Sequence, residues 1–570
     1  MKNALANIRF GVVCDGTKIP TWQKMIIQKL VTETDIELKL VMFEAPQITI
    51  GSGADSLQNP SDNQGGFWSI YYKYRIKKKS KALQIADIQA LINSALKIQC
   101  DFDTATNGYT TLKEADIIKI ENEKLDFIIN FSSKKFTGKV VNTTRYGIWA
   151  YSFGHPTRFI GNPSCFWEIY NEVPITSAYL IRLTKAPDNV ILLKEGHLKT
   201  EVLYFKNFDK IHFECTAWPL EVCMDIRNNR KIDINTFSTN KIGMAIMPPN
   251  NLQFLNFFYI QFKLTFKLVC KLFFYTDQWN IGLSNSPIHE FLNSDLNPEI
   301  KWFPNLPKAR LMADAFGVYF KNDLYIIYED LLFNQGKGKI GSFLFKNGSF
   351  TQNEIVIDEK FHMSYPFLIE HEGHLYCIPE TYQANEVRLY KALEFPSKWK
   401  MEKVLIENYP GLDSTPFKYE GDWFLFSTNK SSGRHHHLNI HYAESIFGPW
   451  KAHPKNPVKT DIRSARPAGT VFQYNGEVFR PSMDYSEKIE GRIVINKILT
   501  LSRVDFKEEA HNIVDPYPNT YFSDKVHTLS KVGPYTLVDG AKELFVFSSF
   551  KVFKYKIKRV FARLKRKGGS

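Results

Sequence analysis

Seven polar residues recur at related positions in the second half of this 570-residue chain. Asp314, Ser364, Asp413 and Arg466 each stand just before an apolar strand pattern. Glu329, Glu380 and Arg480 stand at or just after the end of a following strand. Glu329 and Glu380 both lie 13 residues beyond the Phe that opens their pattern. Several carboxylates around one axis suit sugar chemistry, in which one serves as acid or base and another stabilises an oxocarbenium-like centre. Arginines beside them neutralise acids or hold a phosphate through paired hydrogen bonds. The same residues also suit ion pairs that stitch strands together, and turn caps. His435, His436 and His437, with His441, have metal-ligand chemistry. Consecutive residues of a strand point to opposite faces, so the run reads as a surface loop and no metal site is expected.

The elements that must position these residues form a repeat. Phe316–Tyr328, Phe367–Ile378, Phe417–Phe426 and Val471–Arg480 each read strand, turn, strand, and their starts are 51, 50 and 54 residues apart. A hairpin recurring every ~50 residues is the period of a propeller blade. Four clear blades and a weaker hairpin near 535–547 predict a five-bladed β-propeller over 299–550, whose innermost strands converge on one pocket.

The first 205 residues read differently. Ile8–Cys14 and Ile36–Phe43 are apolar strands separated by a turn, Asp15-Gly16-Thr17, and a helix that opens at Thr21-Trp22. Asp126–Phe131 is another apolar strand. This order predicts an open, doubly wound α/β domain. The 206–298 segment reads as a linker. Within it, 254–275 carries Lys263, Lys267 and Lys271 every four residues among Phe, Leu and Val. That stretch is either a connecting helix or an in-plane membrane helix.

Composition sets bounds. The chain is 44% hydrophobic, 23% charged and 14% aromatic, which excludes a mostly disordered protein. Seven cysteines, an odd number without a CxxC pair, point to a reducing compartment. The net charge is +14, but nine Lys/Arg and no acid fall between Lys551 and Lys567, leaving +5 elsewhere. Nucleic acid is therefore not expected as a partner, and the tail reads as an anionic-membrane anchor. No signal peptide or spanning helix is read, so the protein is expected in the cytoplasm, peripheral at the inner face of the plasma membrane.

Two resemblances sharpen these expectations. Residues 300–510 carry Ala313-Asp314-Ala-Phe316, Tyr328-Glu-Asp330, Ser364-Tyr-Pro-Phe367, Ile378-Pro-Glu-Thr381, Leu412-Asp413, His453-Pro-Lys-Asn-Pro457, Ala465-Arg-Pro-Ala-Gly469 and Phe479-Arg-Pro481 with Asp484. In these pieces the segment resembles the N-terminal domain of glucosamine inositolphosphorylceramide transferases, with the five-bladed furanosidase and invertase propellers as distant fold relatives. The repeat positions, which lie within the matching pieces, make Asp314, Glu380, Asp413 and Glu329 the catalytic candidates. Asp330, Tyr365, Arg466, Arg480, Asp484 and His453 are the substrate-binding candidates.

Residues 7–205 carry Val12-Val-Cys-Asp-Gly16, Asp126–Asn130, Arg145-Tyr-Gly-Ile-Trp149 and Phe166-Trp-Glu168, and so resemble a formyltransferase domain. Such enzymes use an Asn and a His two residues apart in the loop after a strand, plus a later Asp. Here the loop reads Trp149-Ala-Tyr-Ser-Phe-Gly-His155 and lacks that pair. Asp15, His155 and Asp188 are the pocket candidates. The expected activity is glycosyl transfer from a nucleotide sugar to a lipid-linked or polymeric acceptor. The alternatives are N-formylation of an amino sugar with formyl-tetrahydrofolate, a carbohydrate-binding scaffold, and glycan hydrolysis.

Overall fold

The computed structural model describes residues 7–45, 66–104, 108–154, 160–161, 163–186, 189–230, 232, 235–238, 245–246, 248–304, 306–307, 310–333, 335–487, 491–546, 554 and 557–558. The chain divides into two compact units, Met1–Thr265 and Phe266–Ser570.

The first unit is built on an eight-stranded sheet. Its order is Asn235–Ser238, Asn189–Lys199, Ile175–Leu183, Ile148–Phe153, Phe127–Asn130, Ile8–Val13, Ile36–Glu44, Leu96–Cys100. The five strands from Ile148–Phe153 to Leu96–Cys100 run parallel, and the rest join antiparallel. Alternate side chains separate two cores, as a two-residue period requires. Phe10, Val12, Phe127 and Ile129 face one core, while Val13, Leu40, Met42 and Ile128 face the other. Helices Thr21–Thr32, Tyr204–Glu214 and Trp218–Arg227 cover the first core, and Glu114–Asn122 covers the second.

The sequence reading is corrected in two places here. The stretch read as a catalytic loop is largely the strand Ile148–Phe153, paired from Trp149↔Arg182 to Phe153↔Ala178. Its run of Ile, Trp, Tyr and Phe favours a pleated, half-buried surface over a loop. The 206–298 stretch is not a linker. Phe208, Ile211 and Val222 bury against the sheet, and Tyr275–Ser284 is already a propeller strand.

Among its described residues the second unit has five antiparallel sheets of four or five strands, the blades of a propeller. The innermost strands of blades 1 to 4 are Arg310–Phe320, Ser364–His371, Gly411–Tyr419 and Phe472–Tyr474. Blade 5 is assembled from both ends of the unit, in the order Leu529–Val532, Tyr535–Phe545, Tyr275–Ser284, Ile300–Trp302. The propeller therefore begins at Tyr275, not at 299. Blades join through apolar seams: Phe316 with Tyr365 and Phe367, Phe424 and Phe426 with Val471 and Val478, and Ile281 and Leu283 with Met312. The hairpins of blades 1 to 4 turn through Lys321-Asn322, Glu372-Gly373, Glu420-Gly421 and Asn475-Gly476. All eight residues have positive φ, the two-residue turn that matches strand twist.

Candidate functional site at the propeller axis

Three inner strands carry a bulge at the same place. Register slips between Ala313 and Phe316, Ser364 and Phe367, and Leu412 and Thr415. Asp314, Tyr365 and Asp413 take left-handed φ of 55°, 47° and 48° at these bulges. A bulge re-aims a side chain out of the pleat, and here it sends all three to partners on other blades.

Asp413 accepts two hydrogen bonds from Arg466 on the segment leading into blade 4, one from Nε and one from Nη2 at 3.2 Å. Glu380 lies 3.7 Å from the same guanidinium and accepts the Asp413 amide at 3.2 Å. Burial and the neighbouring Asp413 carboxylate push the Glu380 carboxyl well above its usual range, and Arg466 offsets this only in part. Glu380 therefore holds a proton near neutral pH beside a carboxylate and a guanidinium.

Asp314 completes the ring from the other side. Its Oδ1 lies 2.7 Å from His527 Nδ1 and accepts the Thr528 hydroxyl at 3.0 Å, while Oδ2 accepts the Tyr365 amide at 3.2 Å. Burial opposes its ionisation, but His527, Thr528 and Arg466 overcome that and hold its carboxyl below the ordinary value. Asp539 accepts the amides of His527 and Thr528, each at 2.8 Å, and of Asp314 at 3.1 Å. Asp314, His527 and Asp539 are close enough together to bind a metal ion. All four carboxylate oxygens are already engaged by protein donors, however, so hydrogen bonding accounts for the cluster.

Cationic and aromatic side chains lie beside these carboxylates. Lys430 sits 4.2 Å from the Tyr382 ring and Arg466 lies 5.7 Å from that of Tyr485. His435 packs 4.2 Å from Tyr485, and its Nδ1 is buried without a hydrogen-bond partner. Burial, with Arg466 and Arg434, pushes His435 down to about 2, so it is a neutral imidazole. The histidine run is thus not simply a surface loop, because its first member packs into the site.

Other candidates lie elsewhere. Arg480 is fully buried and forms two bonds to Glu508, at 2.9 and 2.6 Å, with a third to the Ser464 carbonyl at 2.6 Å. It fastens blade 4 internally and has no surface to offer a phosphate. Glu329 faces His362 at 3.6 Å rather than joining Glu380. Asp330 is clamped by Arg310 at 2.8 and 2.7 Å. His453 is buried, and its Nδ1 accepts the Lys455 amide at 3.1 Å, a turn role. Tyr365 is completely buried, with its hydroxyl bonded to Thr415 at 2.8 Å and Gly469 at 2.7 Å. Its hydroxyl ties blade 2 to blade 3 and to the segment that enters blade 4. Asp484 accepts the Ser486 amide at 2.8 Å, one residue beyond Met483, whose amide bonds the Arg466 carbonyl.

His527, Asp539, Lys430 and Tyr485 were not found from the sequence, which reads His435 only as part of a surface loop. The first two lie in blade 5, outside the four clear repeats. Phe316, Phe367, Phe417 and Val471, which open the four repeats, line an axial cavity of about 270 Å³ with Lys418, Trp423 and Lys531.

In the first unit, Asp15 is exposed in the turn after Ile8–Val13. His155 and Asp188 lie outside the described residues, as does most of the 551–567 tail. Aromatic packing occupies the carboxyl end of the parallel strands. The Trp22 ring lies 5.4 Å from Tyr151, 5.9 Å from Phe153 and 5.1 Å from His212. His212 stacks between Phe153 and Phe208, and burial lowers it to about 3.

Fold and site together define a five-bladed propeller whose axis is closed around acidic groups. Residues 305–517 match the family described as glucosamine inositolphosphorylceramide transferase 1, N-terminal. The chain is 33% identical over 213 residues to glucosamine inositolphosphorylceramide transferase 1 of Oryza sativa subsp. indica, covering 36% of this chain and 28% of that protein. It is 33% identical over 208 residues to the Arabidopsis thaliana protein of the same name, covering 35% and 27%. The chain thus spans little more than a quarter of these relatives' length. Among solved structures, it is similar to Zg3597, a family 117 glycoside hydrolase from Zobellia galactanivorans. The identity is 13% and the TM-score 0.31, over 43% of this chain and 89% of that one. It is also similar to an exo-1,5-alpha-L-arabinanase from a bovine ruminal metagenomic library, at 13% identity and TM-score 0.29, over 37% and 86%.

Proposed function

We propose that the propeller transfers a glycosyl group from a nucleotide sugar to a lipid-linked or polymeric acceptor. The observation that carries this reading is the Glu380–Asp413–Arg466 cluster. Where three blades converge, the Asp413 carboxyl is hydrogen-bonded to the Arg466 guanidinium, and Glu380 accepts the Asp413 amide 3.7 Å from that guanidinium. Glu380 exchanges the proton that the reaction moves between acceptor hydroxyl and leaving group. Asp413 supports positive charge developing on the sugar. Arg466, Lys430 and Arg434 supply the positive field a nucleotide donor needs. The names of the relatives matched over 305–517 support a transferase of glycolipid chemistry.

The first unit is assigned no formyl transfer. Tyr151 and Phe153 are strand residues packed on Trp22, and the expected Asn-x-His pair is missing.

The test is an assay of the full chain with labelled nucleotide sugars and lipid-linked acceptors. Glu380→Gln is expected to lower turnover by roughly 10²–10⁴-fold, the usual worth of an acid–base group. Undiminished turnover in that variant would remove Glu380 from the chemistry. Glycan binding without turnover of any donor would make the propeller a carbohydrate-binding module.

A further inference from the structure

In the first unit, two neighbouring helical segments each turn an aromatic stripe away from the core. The helix Asn251–Phe274 buries Phe254, Phe257, Ile260 and Gln261. On its opposite side Leu252 is 77% exposed, Leu255 55%, Tyr259 63% and Phe262 70%. At 100° per residue these four fall within an 80° stripe. The helical segment 67–79 repeats the arrangement. Trp68, Tyr72 and Ile76 are buried, while Phe67, Ile70 and Tyr74 are 49%, 59% and 59% exposed. The segments are neighbours. The Phe67 amide donates to Asn251 Oδ1 at 2.9 Å, and Tyr71 packs 5.4 Å from Phe254 and 5.2 Å from Phe258.

Charge completes the pattern. Between 67 and 86 there are six cations (Lys73, Arg75, Lys77, Lys78, Lys79 and Lys81) and no acid. A water-facing helix does not normally carry a continuous stripe of leucines and aromatic rings, and a contiguous exposed apolar patch marks a docking surface. Aromatic residues fringed by lysine and arginine are what an in-plane helix needs at an anionic lipid interface. Neither stripe is long or apolar enough to span: no helix among the described residues meets that requirement.

We propose that the segment 67–79 and the first three turns of Asn251–Phe274 form one face that docks on an anionic lipid bilayer. The rings of Phe67, Tyr74, Tyr259 and Phe262 enter the interface, and the lysine run engages the phosphate headgroups. This face is distinct from the 551–567 tail and independent of the sugar chemistry at the axis.

The full chain is tested by co-sedimentation with vesicles of phosphatidylcholine alone and with phosphatidylglycerol added. Binding is expected only to the anionic vesicles and is expected to fall with salt. Combined replacement of Ile70, Tyr74, Tyr259 and Phe262 by Ser, all exposed positions, is expected to lower partitioning by at least about tenfold, with circular dichroism and melting unchanged. Lys73→Glu, Lys77→Glu and Lys78→Glu are each expected to lower it by about fivefold or more. A chain ending at Phe550 is expected to lose the tail's share of binding and still to sediment with the anionic vesicles. As a readout of insertion, Tyr259→Trp should give emission that brominated lipid quenches. Full binding by the serine variant, or loss of binding on removing the tail alone, would overturn the proposal. So would a lipid-free dimer that the serine variant dissociates, since a second copy would then cover the face.

Discussion

The phenol of Tyr365 on blade 2 receives a hydrogen bond from the amide of Gly469, at the entry to blade 4, at 2.7 Å. One side chain thus ties blade 2 to blades 3 and 4 across the axis, with its ring packed 4.9 Å from Phe316, a wall of the axial cavity. Tyr365→Phe leaves that buried amide unpaired. The expected loss is about 1–3 kcal/mol of propeller stability, read as a lower urea midpoint at unchanged slope.

Gly469 itself admits no side chain. Its φ is +114°, and a Cβ there would stand 1.8 Å from the Leu529 carbonyl oxygen. The obstacle is backbone, and it lies where the Thr470 amide bonds that same carbonyl at 2.9 Å to seat blade 4 against blade 5. Gly469→Ala is expected to cost more than about 4 kcal/mol. Soluble yield and the second unit's melting transition would report it.

Arg480 offers a test that separates stitching from donor binding. Arg480→Ala strands Glu508 with Lys459 as its remaining cation at 2.8 Å. The expected cost is about 3–5 kcal/mol of stability. Donor affinity of the folded fraction, measured by calorimetry, should not change. Weakened affinity with unchanged stability would return Arg480 to the site.

Glu168 makes the first unit pH-sensitive. It is 2% exposed, its Oε1 has no hydrogen-bond partner, and burial raises it from 4.5 to about 7. The folded state thus binds a proton that the unfolded chain has released. Stability is fully present below pH ~4.5 and falls as pH rises to about 7, by up to ~3 kcal/mol. Glu168→Gln should flatten this slope in denaturant titrations across that range.

Four blades were legible because each hairpin turn needs two left-handed residues, and Asn, Gly and polar neighbours mark them. Blade 5 was faint because Gly533-Pro534 replaces that pair and half its strands come from 275–302. His527 and Asp539 were missed for the same reason. Equal spacing misled at Glu329. In blade 2 the bulge residue is Tyr365, whose amide Asp314 already binds. In blade 3 the Asp413 amide is left to Glu380. Position in a repeat foretells where a backbone stands, but the partner depends on what the next blade brings. Arg480 shows the same limit, since spacing does not say which face of its strand meets Glu508.

The closing blade also sets an order of events during synthesis. Tyr275–Ser284 leaves the ribosome long before Tyr535–Phe545, the antiparallel partner with which it forms ten residue pairs. Until then the nascent propeller is an open ribbon with an unpaired edge, the state most apt to pair with a neighbouring chain. The last strand is a latch, and a premature stop anywhere before Tyr535 would release an unlatched ring rather than a slightly shortened one.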